Sequence, residues 1–290
     1  MNKQFMLFVG MVLLIFCMSC KKVDTQVISG NKPADDSTID NVLRDNFIHK
    51  AYLAIVGRTP TELEKIGART IIDKNNCSVG SREELLNILF AAPDYKENLY
   101  NVDNSTLLAS SSADVINYYI IYYSGLAKDS TNPQAYMYKQ NVDRLYFLKS
   151  APRNFFNDSI DLVELHKRMT YNVLYDNLNG GLYNWTLTAF PYFLKRKPTE
   201  SELSNSYLFI QGMEGKILLK TGNSMDDMVN IFFNSDEYFE GQVRNLFLKN
   251  IFREPTNDEL HSMSVVYHKD HNYIKLQKSI YLSNSFLGKK

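Results

Sequence analysis

Arg58-Thr-Pro60-Thr61-Glu-Leu-Glu64 is the stretch that decides the fold, because the chain repeats it. It returns as Arg196-Lys-Pro198-Thr199-Glu-Ser-Glu202 and as Arg253-Glu-Pro255-Thr256-Asn-Asp-Glu259, keeping Arg-x-Pro-Thr-x-x-Glu each time. Thr-x-x-Glu is a capping box, in which the Thr hydroxyl accepts from the N3 amide and the N3 Glu reaches back to the cap amide. The proline ahead of it stops a preceding helix and favours an extended approach. Each copy follows an apolar run that reads as a helix end. The motif therefore predicts helix, corner, helix.

The flanks repeat as well. Six residues before each arginine stands Tyr52, Phe190 or Phe247, and two before it Val56, Leu194 or Ile251. Residues four apart share a helix face, so these pairs are expected in the core. Upstream of the first copy, Ile39, Leu43, Phe47, Ala51 and Ile55 recur every fourth residue after Ser37-x-x-Asp40, an amphipathic helix that Gly57 closes. Downstream, Ser81-x-x-Glu84 reads as a further capping box, and Ser224-x-x-Asp227 aligns with it. At the same offset Asn87 matches Asn230, Ile88 matches Ile231 and Tyr95 matches Tyr238, while Ser279 to Leu287 is a worn third copy with Phe286 in the tyrosine place. Pro191 is expected to kink the middle helix. The unit is thus a helix, a corner, a second helix and a capped third helix.

The predicted fold is all-α, with repeated helix–corner–helix units packed into one globular bundle. Unit 1 covers 39–100, an intervening helical segment 101–170, and units 2 and 3 cover 171–290. The intervening segment carries helical runs at Val115 to Tyr123, Tyr136 to Lys149 and Ile160 to Met169. Asn179-Gly180-Gly181 breaks the chain, and Gly215 to Thr221 is a candidate minor hairpin.

The 290 residues are 44% hydrophobic and 22% charged, ordinary for a globular chain long enough for a sizeable core. With 32 basic against 32 acidic residues there is no basic footprint, which excludes a general nucleic-acid binder. Three cysteines, Cys17, Cys20 and Cys77, build neither a disulfide framework nor a zinc-finger spacing.

Residues 1–19 have a basic flank at Lys3 and then an uncharged run, shorter than the roughly 20 residues of a bilayer span. These are the proportions of a secretory signal. The run ends Cys17-Met18-Ser19-Cys20, which resembles the lipobox of bacterial lipoproteins, with Cys17 in place of the usual Leu. That resemblance implies cleavage before Cys20 and lipidation of Cys20, hence a membrane contact through the N-terminal lipid. Residues 20–38 read as a flexible tether. The expected location is the cell envelope, at the outer membrane of a Gram-negative bacterium, with the face left open because Lys21 and Lys22 precede Asp24. Cys77 reads as a small buried residue rather than a nucleophile.

Few residues suggest chemistry. The three Arg–Glu pairs already have work as corner and cap, the arginine also meeting the negative end of a helix dipole. His268-x-x-His271, with Asp270 between and His261 earlier, is the one cluster with metal-like spacing, but no third ligand is fixed, and no metal or cofactor is expected. Tyr118, Tyr119, Tyr122 and Tyr123 form a possible ligand platform spanning two neighbouring helix faces, so that half of it should be core or rim. There is no Gly-rich phosphate loop, no Gly-x-Ser-x-Gly and no Cys/His pair at nucleophile spacing.

The apolar helix with Gly or Phe before Arg-x-Pro-Thr-x-x-Glu, joined to Phe-x-Ser-x-x-Tyr, resembles two groups. One is an uncharacterised helical domain of bacterial secreted proteins akin to phycobilisome linker domains. The other is a domain of unknown function in planctomycete-type secreted proteins. The resemblance covers Asp40–Tyr100 and Asn184–Leu287. It implies an all-α fold and an assembly or linker role, and it carries over no catalytic residue. The expectation is a non-catalytic binding or scaffolding component with an envelope protein partner. The alternative is an enzyme or enzyme accessory acting on cell-wall or imported polysaccharide.

Overall fold

The computed structural model describes residues 37–129 and 131–289. The signal segment, Cys20 and the tether as far as residue 36 lie outside the described residues. Asp40–Lys290 forms one compact unit. Among the described residues it is built from helices and one two-stranded hairpin, the all-α bundle expected.

The first repeat comprises α1 (Ser37–Ile55), α2 (Glu62–Asp73), α3 (Val79–Ala91) and the start of α4 (Pro93–Leu108). α5 (Ala113–Ala127) and α6 (Ala135–Phe156) pack side by side as a helical hairpin, followed by α7 (Leu162–Thr170) and α8 (Val173–Leu178). The second repeat runs through α9 (Trp185–Ala189), a π-helical turn at Phe190–Leu194, α10 (Glu200–Ile210), the strands β1 (Gly215–Ile217) and β2 (Lys220–Gly222), and α11 (Met225–Phe233). α12 (Asp236–Asn250) ends that repeat and opens the third, which continues through α13 (Asn257–Asp270), α14 (Tyr273–Tyr281) and α15 (Asn284–Leu287). One helix thus serves two units, which is why consecutive units share a core.

The three corners are superimposable in their bonding. Thr61, Thr199 and Thr256 each cap the next helix, and a full capping box closes on Glu64, Glu202 and Glu259. The arginine then grips both oxygens of that glutamate at 2.7–2.8 Å. It also donates to the carbonyl one residue on, at 3.2, 3.1 and 2.9 Å in turn. The guanidiniums of Arg196 and Arg253 lie 5.0 Å over the rings of Phe190 and Phe247, the aromatics six residues earlier. Bidentate, charge-assisted bonds of this kind fix the angle between two helices.

The residue before each arginine is left-handed: Gly57 at φ +80°, Lys195 at +58° and Phe252 at +60°. Gly57 and Phe252 donate back to Tyr52 O at 3.0 Å and Phe247 O at 2.9 Å, the six-to-one closure of a helix C-terminus. A second recurrence lies where the last helix of a unit crosses the first. Three residues after Tyr95, Asn98 Nδ2 donates to Ile55 O at 3.1 Å. Three residues after Tyr238, Gly241 sits so close to the equivalent carbonyl that a Cβ there would lie 1.8 Å from Phe193 O. Ile55 and Phe193 each stand three residues before the motif arginine. The crossing is one design, held by an amide in one unit and by a missing side chain in the other.

Three expectations are corrected. The capping box placed at Ser81-x-x-Glu84 does not form; Ser78 caps α3, accepting from Ser81 N–H, and Ser81 is buried within the first turn. α6 runs on through Pro152 to Phe156, past the expected end at Lys149. α1 already begins at Ser37, inside the stretch read as tether. Pro191 falls where the α-helix gives way to the π-turn.

The core centres on edge-to-face aromatics. Trp185 meets Phe232 with ring centroids 5.1 Å apart, Phe193 meets Phe233 at 5.2 Å, and Phe233 meets Tyr238 at 5.2 Å. Trp185 Nε1 donates to Thr170 O at 2.9 Å, so the one indole is buried without an orphaned donor. Among the described residues, no helix is long and apolar enough to cross a membrane.

Candidate functional site

The corner residues Arg58, Pro60, Thr61, Glu64 and their counterparts are spent on architecture. Hydrogen bonds from Arg58 and from the Thr61 amide hold the Glu64 carboxyl down at about 2, and those from Arg253 and Thr256 do the same for Glu259. Burial works against Glu202, yet Arg196 and Thr199 still lower it. The first two arginines each find a second carboxylate, Asp94 at 3.2 Å and Glu237 at 2.6 Å. These acids occupy the same repeat position, just before Tyr95 and Tyr238. In the third unit Ser285 stands there, and Arg253 keeps Glu259 alone. These pairs hold the corners together.

The repeat tyrosines lead to the most enzyme-like array. Tyr238 is fully buried, with its hydroxyl 2.7 Å from His166 Nδ1, and His166 Nε2 lies 2.9 Å from Asp103 Oδ2. Tyr192 donates to Asp103 Oδ1 at 2.8 Å. Burial pushes the Tyr238 phenol well above its ordinary range, so it stays protonated. The chain carboxylate–imidazole–hydroxyl has the order of a nucleophile relay, but its terminal oxygen has no path to a substrate. The adjoining cavity, lined by Gln242, Asn250 and Gln277, measures about 60 Å³, room for water and little else. Tyr95, the counterpart of Tyr238, is likewise satisfied from a distant helix, donating to Gln277 Oε1 at 2.6 Å. Both are the buried polar pins of their units. Asp103 and His166 are 63 residues apart, and nothing in sequence pairs them.

The other expected clusters come apart. His268 Nδ1 faces Asp236 Oδ1 at 2.8 Å, whereas His271 Nδ1 faces Asp161 Oδ2 at 2.9 Å, so the two histidines point to different partners. No group of three or more His, Cys, Asp or Glu among the described residues could hold a metal ion. A cleft of about 320 Å³ beside His271 contains Asp158, Asp161 and Asp270. Each carboxylate is already paired, with Lys96 at 2.6 Å, His271 at 2.9 Å and Lys275 at 2.8 Å. Cys77 is half-buried against the core, and burial raises its thiol above the ordinary range, the reverse of an activated nucleophile.

The tyrosine face of the α5–α6 hairpin, by contrast, is open to a ligand. Ser112 caps α5, and the i, i+4 spacing then stacks Tyr118 on Tyr122 at 6.4 Å and Tyr119 on Tyr123 at 6.3 Å. The two ladders meet edge-on, at 5.6 and 5.1 Å. Tyr119 and Tyr123 are half-buried against the core, and Tyr123 leans on Tyr138 of α6 at 5.8 Å. Tyr118 and Tyr122 are 64% and 51% exposed, beside Ile121 at 73%. Tyr136 and Met137 at the start of α6 are exposed too. The platform thus divides as the helical spacing required, one ladder as rim and one as surface.

Compared with known protein families, with curated proteins and with solved structures, the chain matches none.

Proposed function

We propose that this protein is a lipid-anchored component of the cell envelope that works by binding, and that the outer tyrosine ladder of the α5–α6 hairpin is its contact surface. The observation that carries the reading is the exposure of Tyr118, Ile121 and Tyr122 on a helix whose opposite side is packed into the core. Rigid aromatic side chains with few rotors bring large contact area at low entropic cost, and tyrosine adds a hydroxyl for the rim. Isolated apolar residues at a surface are ordinary, whereas a contiguous aromatic strip suits partner recognition. The anchor at Cys20, the tether and the linker-like repeats agree with an assembly role, the partner being another envelope protein. The polysaccharide-enzyme alternative is the weaker reading, since the three carboxylates of the cleft beside His271 are paired and the Asp103–His166–Tyr238 array ends in a sealed hydroxyl.

The test is affinity purification of the tagged protein from crosslinked membranes, with Cys20→Ala as the unanchored control. A stoichiometric protein recovered with the anchored form and lost from the control supports the proposal. Recovery of the protein alone, or with carbohydrate only, defeats it.

A further inference from the structure

Three helices present one face each to an open cleft of about 170 Å³ that lies apart from the tyrosine ladder's exposed residues. On α7, Glu164, Lys167 and Arg168 follow the spacing i, i+3, i+4 of a single stripe, and Tyr171 caps its end on the same side. α6 adds Arg144 and Phe147, three apart, and α11 adds Asp226, Val229 and Asn230. We propose that this cleft binds a sugar acid, a hexuronate ring or residue whose carboxylate is received by Lys167.

The charges select the anion. Arg168 Nε is committed to Glu164 at 2.7 Å, and Arg144 faces Asp226 at 3.7 Å. Lys167 is the cation left over, its hydrogen bond going to the neutral Asn230 Oδ1 at 3.3 Å. The cleft is therefore net positive by one charge, located on a flexible ammonium at its edge. The walls select a ring. Arg144 stacks 3.8 Å over Tyr171 and Arg168 lies 5.5 Å from the centre of Phe147, so both aromatics are braced by guanidiniums rather than free to collapse into the opening. Phe147, 56% exposed, offers apolar surface for the C–H face of a pyranose. Acceptors then distinguish a sugar from an aromatic acid. Asp226 and Glu164 keep 63% and 41% of their side-chain surface exposed, and a carboxylate bonded to one guanidinium still has lone pairs to accept hydroxyl protons. A benzoate-like ligand has no hydroxyls to give them. The volume admits one six-membered ring with its carboxylate, not an oligomer lying flat.

The proposal stands independently of the tyrosine face. It is tested by calorimetric titration of the full chain, purified in detergent, with sodium glucuronate, glucose, benzoate and inorganic phosphate. Glucuronate should bind at least tenfold more tightly than the other three. Lys167→Met should weaken glucuronate at least tenfold, and Asn230→Asp, which puts a carboxylate beside the ammonium, should do the same, both with unaltered circular dichroism. Glucose binding as well as glucuronate would overturn the carboxylate assignment. Benzoate or phosphate binding as well would overturn the sugar. No glucuronate binding, or binding indifferent to both variants, would overturn the site.

Discussion

Replacing Gly241 by alanine tests the repeat geometry at its tightest point. In an ordinary helix interior this change stabilises, because alanine is favoured over glycine by about 1 kcal/mol. At Gly241 the new Cβ would stand 1.8 Å from Phe193 O, 2.9 Å from Phe193 C and 3.1 Å from Leu194 Cα. All three are backbone atoms of the π-turn, so no side chain can swing aside. Relief requires α12 to withdraw from the turn by roughly an ångström, and overpacking of this sort costs about 1–3 kcal/mol or more. Taking the upper half of that range for so close a backbone contact and subtracting the propensity gain, we expect a net loss of about 1–2 kcal/mol, or a melting temperature lower by roughly 2–8 °C for a chain of this size. Gly67 lies mid-helix in α2, where an added Cβ would meet nothing within 4 Å, and Gly67→Ala should instead gain about 0.5–1 kcal/mol. Chemical denaturation of both variants decides the matter. Equal stabilisation of the two would refute the close crossing of α12 over the π-turn.

Phe252→Gly should raise stability by about 0.5–1 kcal/mol in the same assay, since Phe252 is left-handed and 80% exposed, and the gain from removing that strain exceeds the added freedom of the unfolded chain. Arg196→Met should cost about 1 kcal/mol more than Arg253→Met, because Arg196 holds Glu237 as well as Glu202 whereas Arg253 holds one glutamate. Burial raises the Asp176 carboxyl to about 7, against the pull of Arg144. With an unfolded value near 3.9, the folded chain holds the extra proton between about pH 4 and pH 7, and stability from this group falls as pH rises through that window. Asp176→Asn should therefore lose less stability than the parent protein between pH 4 and 7, measured by urea midpoints.

The corners were legible because a capping box is local. Thr61, Thr199 and Thr256 need only the glutamate three residues on, and proline marks the approach. Local signals also misled where two of them competed, as when Ser78 rather than Ser81 became the cap of α3. The left-handed residue before each arginine was visible only as Gly57, since Lys195 and Phe252 adopt that conformation under tertiary pressure their side chains do not announce. The second carboxylate was within reach of inspection, because Asp94 and Glu237 share the position before the repeat tyrosine. By contrast, the pairing of Tyr238 with His166 and Asp103, and the approach of Gly241 to Phe193, join residues tens of positions apart. Only the packed bundle brings them together. The tyrosine platform was half legible: helical spacing split it into two ladders, and packing against α6 and the core chose which would face solvent.

The most direct measurement of the binding role compares the crosslinked partner of the anchored protein with that of the Tyr118→Ser, Tyr122→Ser double variant. Both side chains are mostly exposed, so circular dichroism and melting temperature should be unchanged. The account predicts that the double variant remains folded and membrane-anchored while the stoichiometric envelope protein disappears from the purification. An undiminished partner on a folded double variant would contradict it.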